Sequence, residues 1–428
     1  MKICSLKNIF LSVLFLTILF LILPDQIFSK TTRTSKTTKA SQKAQTSKKT
    51  ETSQTTSGSL QCDSQSAVLM DGLTGQVLYE QNPHLRIPPA SFVKVMTLYL
   101  AYDAIRAGQL KPDDMVTISE KAWRIQGSKM FIKVGERVKV EDLLKGIAIA
   151  SGNDACIALT EHMAGSEDVF VLKMNEKARL LGLKDSQFKN SHGMPADDQY
   201  TTALDMAILS KRYIENHPEA LALHSTVEFE YNGIRQENRN TLLQKNIGVD
   251  GLKTGHIEES GYHLTATAKR HGQRMIAVVM GCDKMKKRAP EAQKLLEYGF
   301  ENFSTVEAVK KGGTFGPVKV RRGKMNNVIL IAAEEGRVTV AKGKENSVSV
   351  TPQLPTFVRA PIQKGQVLAK VLIQNEGKVI KEINLLSSSE IEKSLLPPWP
   401  ILVGAICGLA IIIVLGFWWF RRPKPKRL

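Results

Sequence analysis

Cysteine is scarce in this chain, which has five in 428 residues. Cys4 lies in the N-terminal segment ahead of a first long apolar run and Cys407 lies within a second, so only Cys62, Cys156 and Cys282 remain for the rest of the chain. Three is an odd number and no C-x-x-C spacing occurs, which argues against a disulfide framework, a zinc site or redox chemistry. Cys156 lies in an apolar pattern with helical spacing, and we expect it to be a buried free thiol.

Acidic residues are also few: 41 Asp and Glu stand against 59 Lys and Arg, a formal charge of +18. Much of the excess lies in two segments. Residues 30–60 hold seven basic residues against one acidic residue, and residues 421–428 hold five basic residues and no acidic one. No aromatic residue is interleaved with these charges, which argues against nucleic-acid binding. A membrane surface or an anionic wall polymer is the better partner.

The first long apolar run covers residues 9–23, follows Lys2 and Lys7, and ends at Pro24. This pattern predicts a secretory signal peptide, residues 1–29, cleaved after Ser29. An uncleaved anchor is the alternative, because the cleavage site is not of the A-x-A kind. Residues 30–62 are rich in Ser, Thr, Lys and Gln and have few apolar side chains to repay ordering, so we expect a disordered spacer.

The second long apolar run, residues 399–420, has 22 uncharged residues. As a helix it is about 33 Å long, enough to cross a bilayer. Trp399, Trp418 and Trp419 stand at its ends, and the basic tail of residues 421–428 follows at once, which is typical of a cytoplasmic flank. The sequence therefore predicts a single C-terminal span in the cytoplasmic membrane. The body is then extracytoplasmic, and periplasmic in a Gram-negative cell.

The remaining chain changes character near residue 303. Residues 63–303 begin with a hairpin pattern and continue with an S-x-x-K helix opened by prolines. Further helical and strand patterns lie at 140–149, 154–163, 167–181, 204–213, 261–268, 275–281 and 290–298. Hairpins at both ends with helices between them predict an antiparallel sheet flanked by helices. Residues 304–395 show short apolar runs separated by Gly, Asn and Pro, which predict a small all-β sandwich serving as a spacer.

Ser91 and Lys94 form an S-x-x-K pattern at the start of a predicted helix. Residues three apart on a helix share one face, so the lysine amine can lie beside the serine hydroxyl. A lysine whose pKa is lowered by burial can take the serine proton and make it a nucleophile. The pattern alone is weak, since Ser186 and Lys189 match it as well.

Two further motifs follow, Ser151-Gly152-Asn153 before a predicted helix and Lys253-Thr254-Gly255-His256 on a predicted strand. In isolation the first is also a good helix cap and the second a strand end with a turn. Lys and Thr offer a charge and a hydroxyl to an anionic group, and Gly permits close approach along a sheet edge. In order and spacing, the three motifs match the signature set of the penicillin-recognising serine enzymes.

Residues 63–303 resemble more closely the low-molecular-weight penicillin-binding proteins that are D-alanyl-D-alanine carboxypeptidases. The similarity covers the stretches around Ser151, Ala164, Asn232, Val249 and Val279, and it extends weakly to about residue 390. The resemblance implies an α+β catalytic domain of the β-lactamase and penicillin-binding-protein type, followed by the β sandwich and the transmembrane helix. A full hydrophobic span and the Ser/Thr/Lys-rich spacer depart from the usual family pattern, in which the anchor is often an amphipathic helix.

The resemblance also implies roles for residues of this chain. Ser91 attacks the carbonyl of the penultimate D-alanine, Lys94 accepts its proton, and Ser151 passes a proton to the leaving amine. Main-chain N–H groups of Ser91 and His256 form the oxyanion hole. Asn153 holds the substrate amide, and the terminal carboxylate lies near Lys253, Thr254, Gly255 and Arg288. Arg239 stays outside the core set. No metal or cofactor is expected, and the other histidines, His192 included, are expected to be structural because they show no metal spacing.

These expectations define the substrate as a peptidoglycan stem peptide and β-lactams as covalent inhibitors. An endopeptidase or transpeptidase on the same wall peptide is the first alternative. A β-lactamase is the second, although no Glu-x-x-Leu-Asn segment lies between Asn153 and Lys253. A catalytically silent wall-binding scaffold is the third, and it requires a defect that the motifs do not reveal.

Overall fold

The computed structural model of the protein describes residues 60–394 and 399–421. The predicted signal peptide, the predicted spacer up to residue 59 and the tail from residue 422 lie outside the described residues. The strands of the first region are β1 Ser66–Asp71, β2 Val77–Gln81, β3 Met115–Thr117, β4 Arg137–Lys139, β5 Glu228–Tyr231, β6 Ile234–Glu237, β7 Val249–Ile257, β8 Gly261–Arg270 and β9 Gln273–Cys282. Its helices are α1 Val93–Arg106, α2 Glu120–Arg124, α3 Val140–Lys145, α4 Asn153–Ala164, α5 Glu167–Leu181, α6 Ala203–Asn216, α7 Ala220–His224 and α8 Met285–Asn302.

A five-stranded antiparallel sheet with the order β2-β1-β9-β8-β7 organises this region. Strand β9 is apolar at almost every position because both faces of the sheet are covered. Its Ile276 and Val278 belong to the core formed with α1, α4, α5 and α6, whereas Ala277 and Val279 pack with α8. Side chains alternate between the two faces of a strand, so one sequence supplies both cores. The predicted antiparallel sheet flanked by helices is confirmed.

Two helices differ from their predicted ranges. The pattern over 140–149 predicts one helix, but α3 ends at Lys145 and a π-helical turn, Gly146–Ala150, follows it. The last helix of the first region, α8, begins at Met285. The sequence pattern placed its start five residues later, at Pro290. Proline favours the first turn of a helix, which misplaced that boundary. Burial of Arg288 and Ala289 extends α8 toward its N-terminus.

The second region is the predicted β domain. Its strands are β10 Phe303–Val309, β11 Thr314–Arg321, β12 Asn327–Ala332, β13 Gly336–Ala341, β14 Val348–Gln353, β15 Phe357–Arg359, β16 Val367–Asn375 and β17 Lys378–Ser387. β10 pairs with β13, and the other six form a sheet with the order β14-β16-β17-β12-β11-β15. The core between the two sheets contains Val338 and Val340 from the small sheet and Leu330, Ile373 and Leu385 from the large one.

The last helix, α9 Trp399–Phe420, contains the candidate membrane span. Its segment Ile401–Phe420 has a mean hydropathy of 2.7, and its side chains are not buried by the rest of the protein. Length and composition allow it to cross a membrane.

Asp71 links the two regions. Its carboxylate is fully buried at the end of β1 and accepts hydrogen bonds from the hydroxyls of Thr305 on β10 and Thr339 on β13. The other oxygen accepts the main-chain N–H groups of Leu73 at 2.8 Å and Thr74 at 3.0 Å. Four donors from three elements therefore share one carboxylate.

Asp71→Ala removes this acceptor and leaves several buried donors without a partner. We expect a loss of about 2 to 4 kcal/mol in the free energy of unfolding, because each unsatisfied buried donor costs about 1 to 3 kcal/mol. Thermal unfolding of the purified protein shows this loss of stability as a lower melting midpoint. The control is Asp63→Ala, since Asp63 pairs with Lys287 at the surface and we expect less than about 1 kcal/mol there. Equal midpoints for the two variants would contradict the linking role of Asp71.

Candidate active site

Ser91 lies in the short turn Ala90–Phe92, here called the nucleophile turn, which leads directly into α1. Ala90 has a φ of +47°, which is costly for a residue other than glycine and persists only where the surroundings enforce it. Lys94 comes one helical turn later and shares a face with Ser91. The two predicted residues meet, with Lys94 Nζ 3.1 Å from Ser91 Oγ.

Lys94 is fully buried, and its amine has three polar neighbours. Besides Ser91 Oγ, Nζ contacts Asn153 Oδ1 at 2.7 Å and the main-chain oxygen of His192. These two oxygens accept hydrogen bonds and cannot donate them. A neutral amine has two N–H bonds and one lone pair. When both N–H bonds point to the two oxygens, the lone pair faces the hydroxyl of Ser91.

The environment of Lys94 favours its neutral form. Burial lowers the pKa of Lys94 to about 8, and the charge of Arg239 acts in the same direction, whereas Cys156 and Asp154 oppose it. The predicted burial of Cys156 as a free thiol is confirmed. A lysine with this pKa has a sizeable neutral fraction near neutral pH, which a general base requires.

Ser151 is the second polar side chain in contact with the nucleophile. It follows the π-helical turn and has a left-handed backbone with a φ of 62°. Ser151 Oγ lies 3.0 Å from Ser91 Oγ, and Lys253 Nζ lies 3.0 Å from Ser151 Oγ. A continuous chain of contacts therefore runs from Lys253 through Ser151 and Ser91 to Lys94.

Asn153 is the first residue of α4, and its side-chain amide is engaged at both ends. Oδ1 accepts from Lys94, while Nδ2 donates to the main-chain oxygen of Gln126 at 2.7 Å. The main-chain N–H of Asn153 also donates to Ser128 O at 2.7 Å. The resemblance assigns this side chain to the substrate amide. In this structure it orients Lys94 and fixes the loop beside the site, so substrate must share or replace one of these bonds.

Lys253, Thr254, Gly255 and His256 lie on β7, which is an edge strand of the sheet. A Cβ atom on Gly255 would lie 3.3 Å from the Cβ of Ala90. The absence of a side chain there lets β7 come close to the nucleophile turn. The imidazole of His256 stacks on Tyr262 of β8, with ring centroids 3.9 Å apart.

Arg288 lies on α8 and not in a loop after Gly281, as its sequence context had indicated. It is 6 % exposed, and its guanidinium donates to the main-chain oxygen of Arg239 at 3.2 Å. Burial, followed by the charge of Arg239, lowers the pKa of Arg288 to about 10. Burial also lowers the pKa of Lys253, and the charges of Lys94, Arg239 and Arg288 add to the effect. Four basic side chains, Lys94, Arg239, Lys253 and Arg288, therefore influence one site, which suits an anionic substrate group.

Sequence reasoning missed two groups that contact the site. The carbonyl of His192 contacts Lys94, but a main-chain atom leaves no signal in a residue pattern. Glu167, a buried carboxylate, contacts the same turn through Ser191 and His192. Arg239 was left outside the core set, although it lies beside Arg288. Ser186, the chance S-x-x-K serine, bonds instead to Thr201 and Asp205.

A cavity of about 390 Å³ adjoins the nucleophile turn. It is lined by the residues before Ser91, by a loop after His192 and by the end of β7, namely Pro88, Pro89, Ala90, Gly193, Met194, Pro195, Ala196, Asp197, Asp198, Gln199, Ile257 and Glu259. Over residues 60–394 and 399–421, no group of three His, Cys, Asp or Glu side chains is arranged to hold a metal ion.

Gly193 has a φ of +88°, and a Cβ atom there would lie 1.9 Å from the main-chain oxygen of Ala90. Gly193→Ala must therefore displace the nucleophile turn, and we expect it to cost about 3 kcal/mol of unfolding free energy. The matched control is Gly233→Ala, because Gly233 has a φ of +73° and open space around it. Its cost of about 1 kcal/mol measures the left-handed backbone alone. Similar melting midpoints for the two variants would show that the close approach of Gly193 to Ala90 does not add to the cost of the substitution.

Comparison with known proteins gives two family matches. Residues 48–284 match the family described as D-alanyl-D-alanine carboxypeptidase, and residues 303–393 match the penicillin-binding protein 5 C-terminal domain. D-alanyl-D-alanine carboxypeptidase DacC of Escherichia coli is 42% identical over 340 residues, which cover 77% of this chain and 85% of that protein. The DacF carboxypeptidase of Bacillus subtilis is 38% identical over 350 residues, 79% of this chain and 88% of its own.

Solved structures give the same result. Penicillin-binding protein 5 from Haemophilus influenzae is similar with a TM-score of 0.74 and 39% identity, covering 79% of this chain and all of that chain. Penicillin-binding protein 6B from Escherichia coli has a TM-score of 0.65 and 36% identity, over 77% of this chain and 96% of its own. The predicted family and fold class are therefore confirmed, and the chain belongs to the D-alanyl-D-alanine carboxypeptidase family of penicillin-binding proteins.

Proposed function

We propose that this serine-type D-Ala-D-Ala carboxypeptidase removes the terminal D-alanine from peptidoglycan pentapeptide stems through an acyl-enzyme on Ser91. The observation that carries this assignment is the chain of contacts from Lys253 through Ser151 and Ser91 to Lys94. It supplies a nucleophile, a base with a lowered pKa and a hydroxyl that can pass on a proton.

In the acylation step, Ser91 Oγ attacks the carbonyl carbon of the penultimate D-alanine while Lys94 Nζ takes its proton. The N–H groups of Ser91 and His256 stabilise the developing oxyanion. Collapse of the tetrahedral intermediate breaks the peptide bond. Ser151 delivers a proton to the leaving amine and takes one from the Lys253 ammonium, which lies 3.0 Å from its hydroxyl. Free D-alanine departs and the shortened peptide stays bound to Ser91 as an ester.

In the second step, water attacks the ester, and Ser151 with Lys253 helps to remove its proton. Lys94 returns its proton to Ser91 Oγ as the ester breaks, so the products are the shortened peptide and the free Ser91 hydroxyl. Lys253, Thr254 and Arg288 bind the terminal carboxylate of the incoming substrate. A β-lactam mimics the same acyl donor, so penicillins acylate Ser91 as covalent inhibitors.

The proposed location follows from the two apolar runs. The signal peptide exports the chain, and the segment Ile401–Phe420 holds it in the cytoplasmic membrane with the catalytic body outside the cytoplasm. This places the catalytic body on the side of the membrane where wall peptides lie.

An endopeptidase is the second candidate. The D-alanyl-D-alanine endopeptidase of Pseudomonas aeruginosa is 30% identical over 209 residues, which cover 47% of this chain. A cross-linked peptide dimer ending in no free D-Ala-D-Ala distinguishes the two activities, because only an endopeptidase cleaves it.

The first experiment incubates the purified full chain with a pentapeptide ending in D-Ala-D-Ala and with a fluorescent penicillin. We expect D-alanine release and covalent labelling, and the loss of both in Ser91→Ala. Ser186→Ala is the matched control, because Ser186 belongs to the second S-x-x-K pattern and should leave labelling intact. Labelling that survives in folded Ser91→Ala would overturn the nucleophile assignment.

The pH dependence of acylation tests Lys94 as the base. Only the neutral amine accepts a proton, so the rate should rise with pH through about 8, the pKa of Lys94. About a tenth of the enzyme is in the active form at pH 7 and about half at pH 8. His192 does not titrate in this range, since burial lowers its pKa to about 4. The second-order rate of penicillin acylation from pH 5 to 10 measures the profile.

Lys94→Arg keeps a positive charge that cannot be removed near neutral pH, so we expect a loss of about a hundredfold or more in acylation rate. Lys173→Arg is a suitable control for the substitution itself, because Lys173 is exposed on α5. A wild-type profile that is flat between pH 6 and 9 would contradict the role of Lys94.

A further inference from the structure

A buried carboxylate outside the motif set holds one wall of the site. Glu167, the first residue of α5, is 7 % exposed. Its Oε1 accepts the main-chain N–H of Ser191 at 3.0 Å and the Ser191 hydroxyl at 2.8 Å. The same oxygen lies 3.3 Å from Nε2 of His192. Three donors of one turn therefore converge on a single carboxylate oxygen.

The ring of His192 is fixed in one tautomer by this turn. Its Nδ1 accepts the main-chain N–H of Met194 at 3.1 Å, so the proton resides on Nε2. Nε2 lies 3.3 Å from Glu167 Oε1. Burial lowers the pKa of His192, and the ring is neutral at pH 7. Its approach to Glu167 is thus a polar contact of a neutral ring and not a salt bridge.

The turn between Asn190 and Met194 carries the carbonyl of His192, which accepts from Lys94 Nζ. The neighbouring carbonyl of Ser191 accepts from Thr97 Oγ1 on α1 at 2.7 Å. Two successive carbonyls therefore face α1, and Glu167 holds the turn from the other side. The position of the His192 carbonyl relative to Lys94 depends on both attachments.

We propose that Glu167 is a positioning residue that sets the direction of the Lys94 lone pair by fixing the His192 carbonyl. The proposal rests on the proposed roles of Ser91 and Lys94. Glu167 itself has no hydrogen bond or ion pair with Ser91 or Lys94 among the contacts of the described residues, so it acts through the turn.

The Glu167 carboxylate also pairs with a lysine at the surface. This pair makes it possible to change the charge around Glu167 without detaching the turn. Lys121 Nζ lies 3.2 Å from Glu167 Oε2, and the Lys121 side chain is 54% exposed. Oε1 holds the turn and Oε2 meets Lys121. Removal of Lys121 therefore alters the charge balance of Glu167 and leaves the turn attached.

Several other groups face Lys94 and contribute to its titration. Cys156 and Asp154 lie on α4, Lys253 lies on β7, and Arg239 approaches from the segment before β7. None of these bonds to Glu167. A change of Glu167 alone leaves these groups in place, so a shift in the titration of Lys94 reports on the lost charge of Glu167 and on the turn.

The test is Glu167→Ala in the full chain, with the rate of penicillin acylation per active site measured from pH 5 to 10. The variant loses both a negative charge and the fixed carbonyl, and both losses disfavour the ammonium form of Lys94. We expect the midpoint of the acidic limb to fall by about half a pH unit or more below that of the wild type. The plateau rate falls about tenfold to a hundredfold, because the lone pair is no longer directed at Ser91.

Three variants sharpen this test. Glu167→Gln keeps a side-chain oxygen for the Ser191 N–H, so it should restore the plateau to within about threefold of the wild type. Lys121→Ala should match the wild type in both rate and midpoint. Ser191→Ala removes one of the bonds to Glu167 and should move both quantities part of the way, which keeps the test available if Glu167→Ala folds poorly.

The proposal is overturned if Glu167→Ala lowers only the melting point or the labelled fraction. In that case the acylation rate per active site and the pH midpoint stay unchanged, and Glu167 is merely structural. An equal effect of Glu167→Gln and Glu167→Ala would also overturn it, since charge alone would then be responsible. Failure of the wild type to be labelled, or labelling of Ser91→Ala, would contradict the proposed function itself and is recognised separately.

Discussion

The burial of one lysine amine dictates much of this site. Transfer of an ammonium group from water to a protein interior is costly, and the group responds by losing its proton more easily. Lys94 has no carboxylate among its hydrogen-bond partners, which are Asn153 Oδ1, the His192 carbonyl and Ser91 Oγ. An adjacent carboxylate would restore the charged form and abolish its use as a base. Uncharged acceptors orient the amine with a weaker pull toward protonation.

Three separate elements must be placed correctly for this arrangement. Helix α1 supplies Lys94, the start of α4 supplies Asn153, and the turn after α5 supplies the carbonyl of His192. Strained backbone at Ala90 and Ser151, both with positive φ, brings the two serine hydroxyls to 3.0 Å. Such conformations persist only where the surrounding packing enforces them. Here the cores on the two faces of the sheet provide that packing.

The sequence was sufficient where the chemistry resides in side chains at regular spacing. Helix α5 has the bounds predicted from its apolar pattern, and the structure brings Ser91, Lys94, Ser151 and Lys253 together. The sequence was insufficient where a main-chain atom forms part of the site or where a contact distant in sequence sets the end of a helix. The His192 carbonyl has no residue signature. The start of α8 was misplaced because a local proline preference was overridden by tertiary burial, and Arg288 was assigned to a loop for that reason.

The cations around Ser91 also bear on which bond is cut. Lys253 and Arg288 are almost fully buried and have no salt bridge to a carboxylate among the described residues. A substrate that ends in a free carboxylate supplies the missing charge, whereas an internal peptide bond places an uncharged amide and further chain in the same space. Buried charged groups left without a partner penalise the wrong ligand far more than a poor apolar fit does. If Lys253 and Arg288 bind the terminal carboxylate as proposed, the same residues that lower the pKa of the bases favour cleavage at a chain end over cleavage within a cross-link.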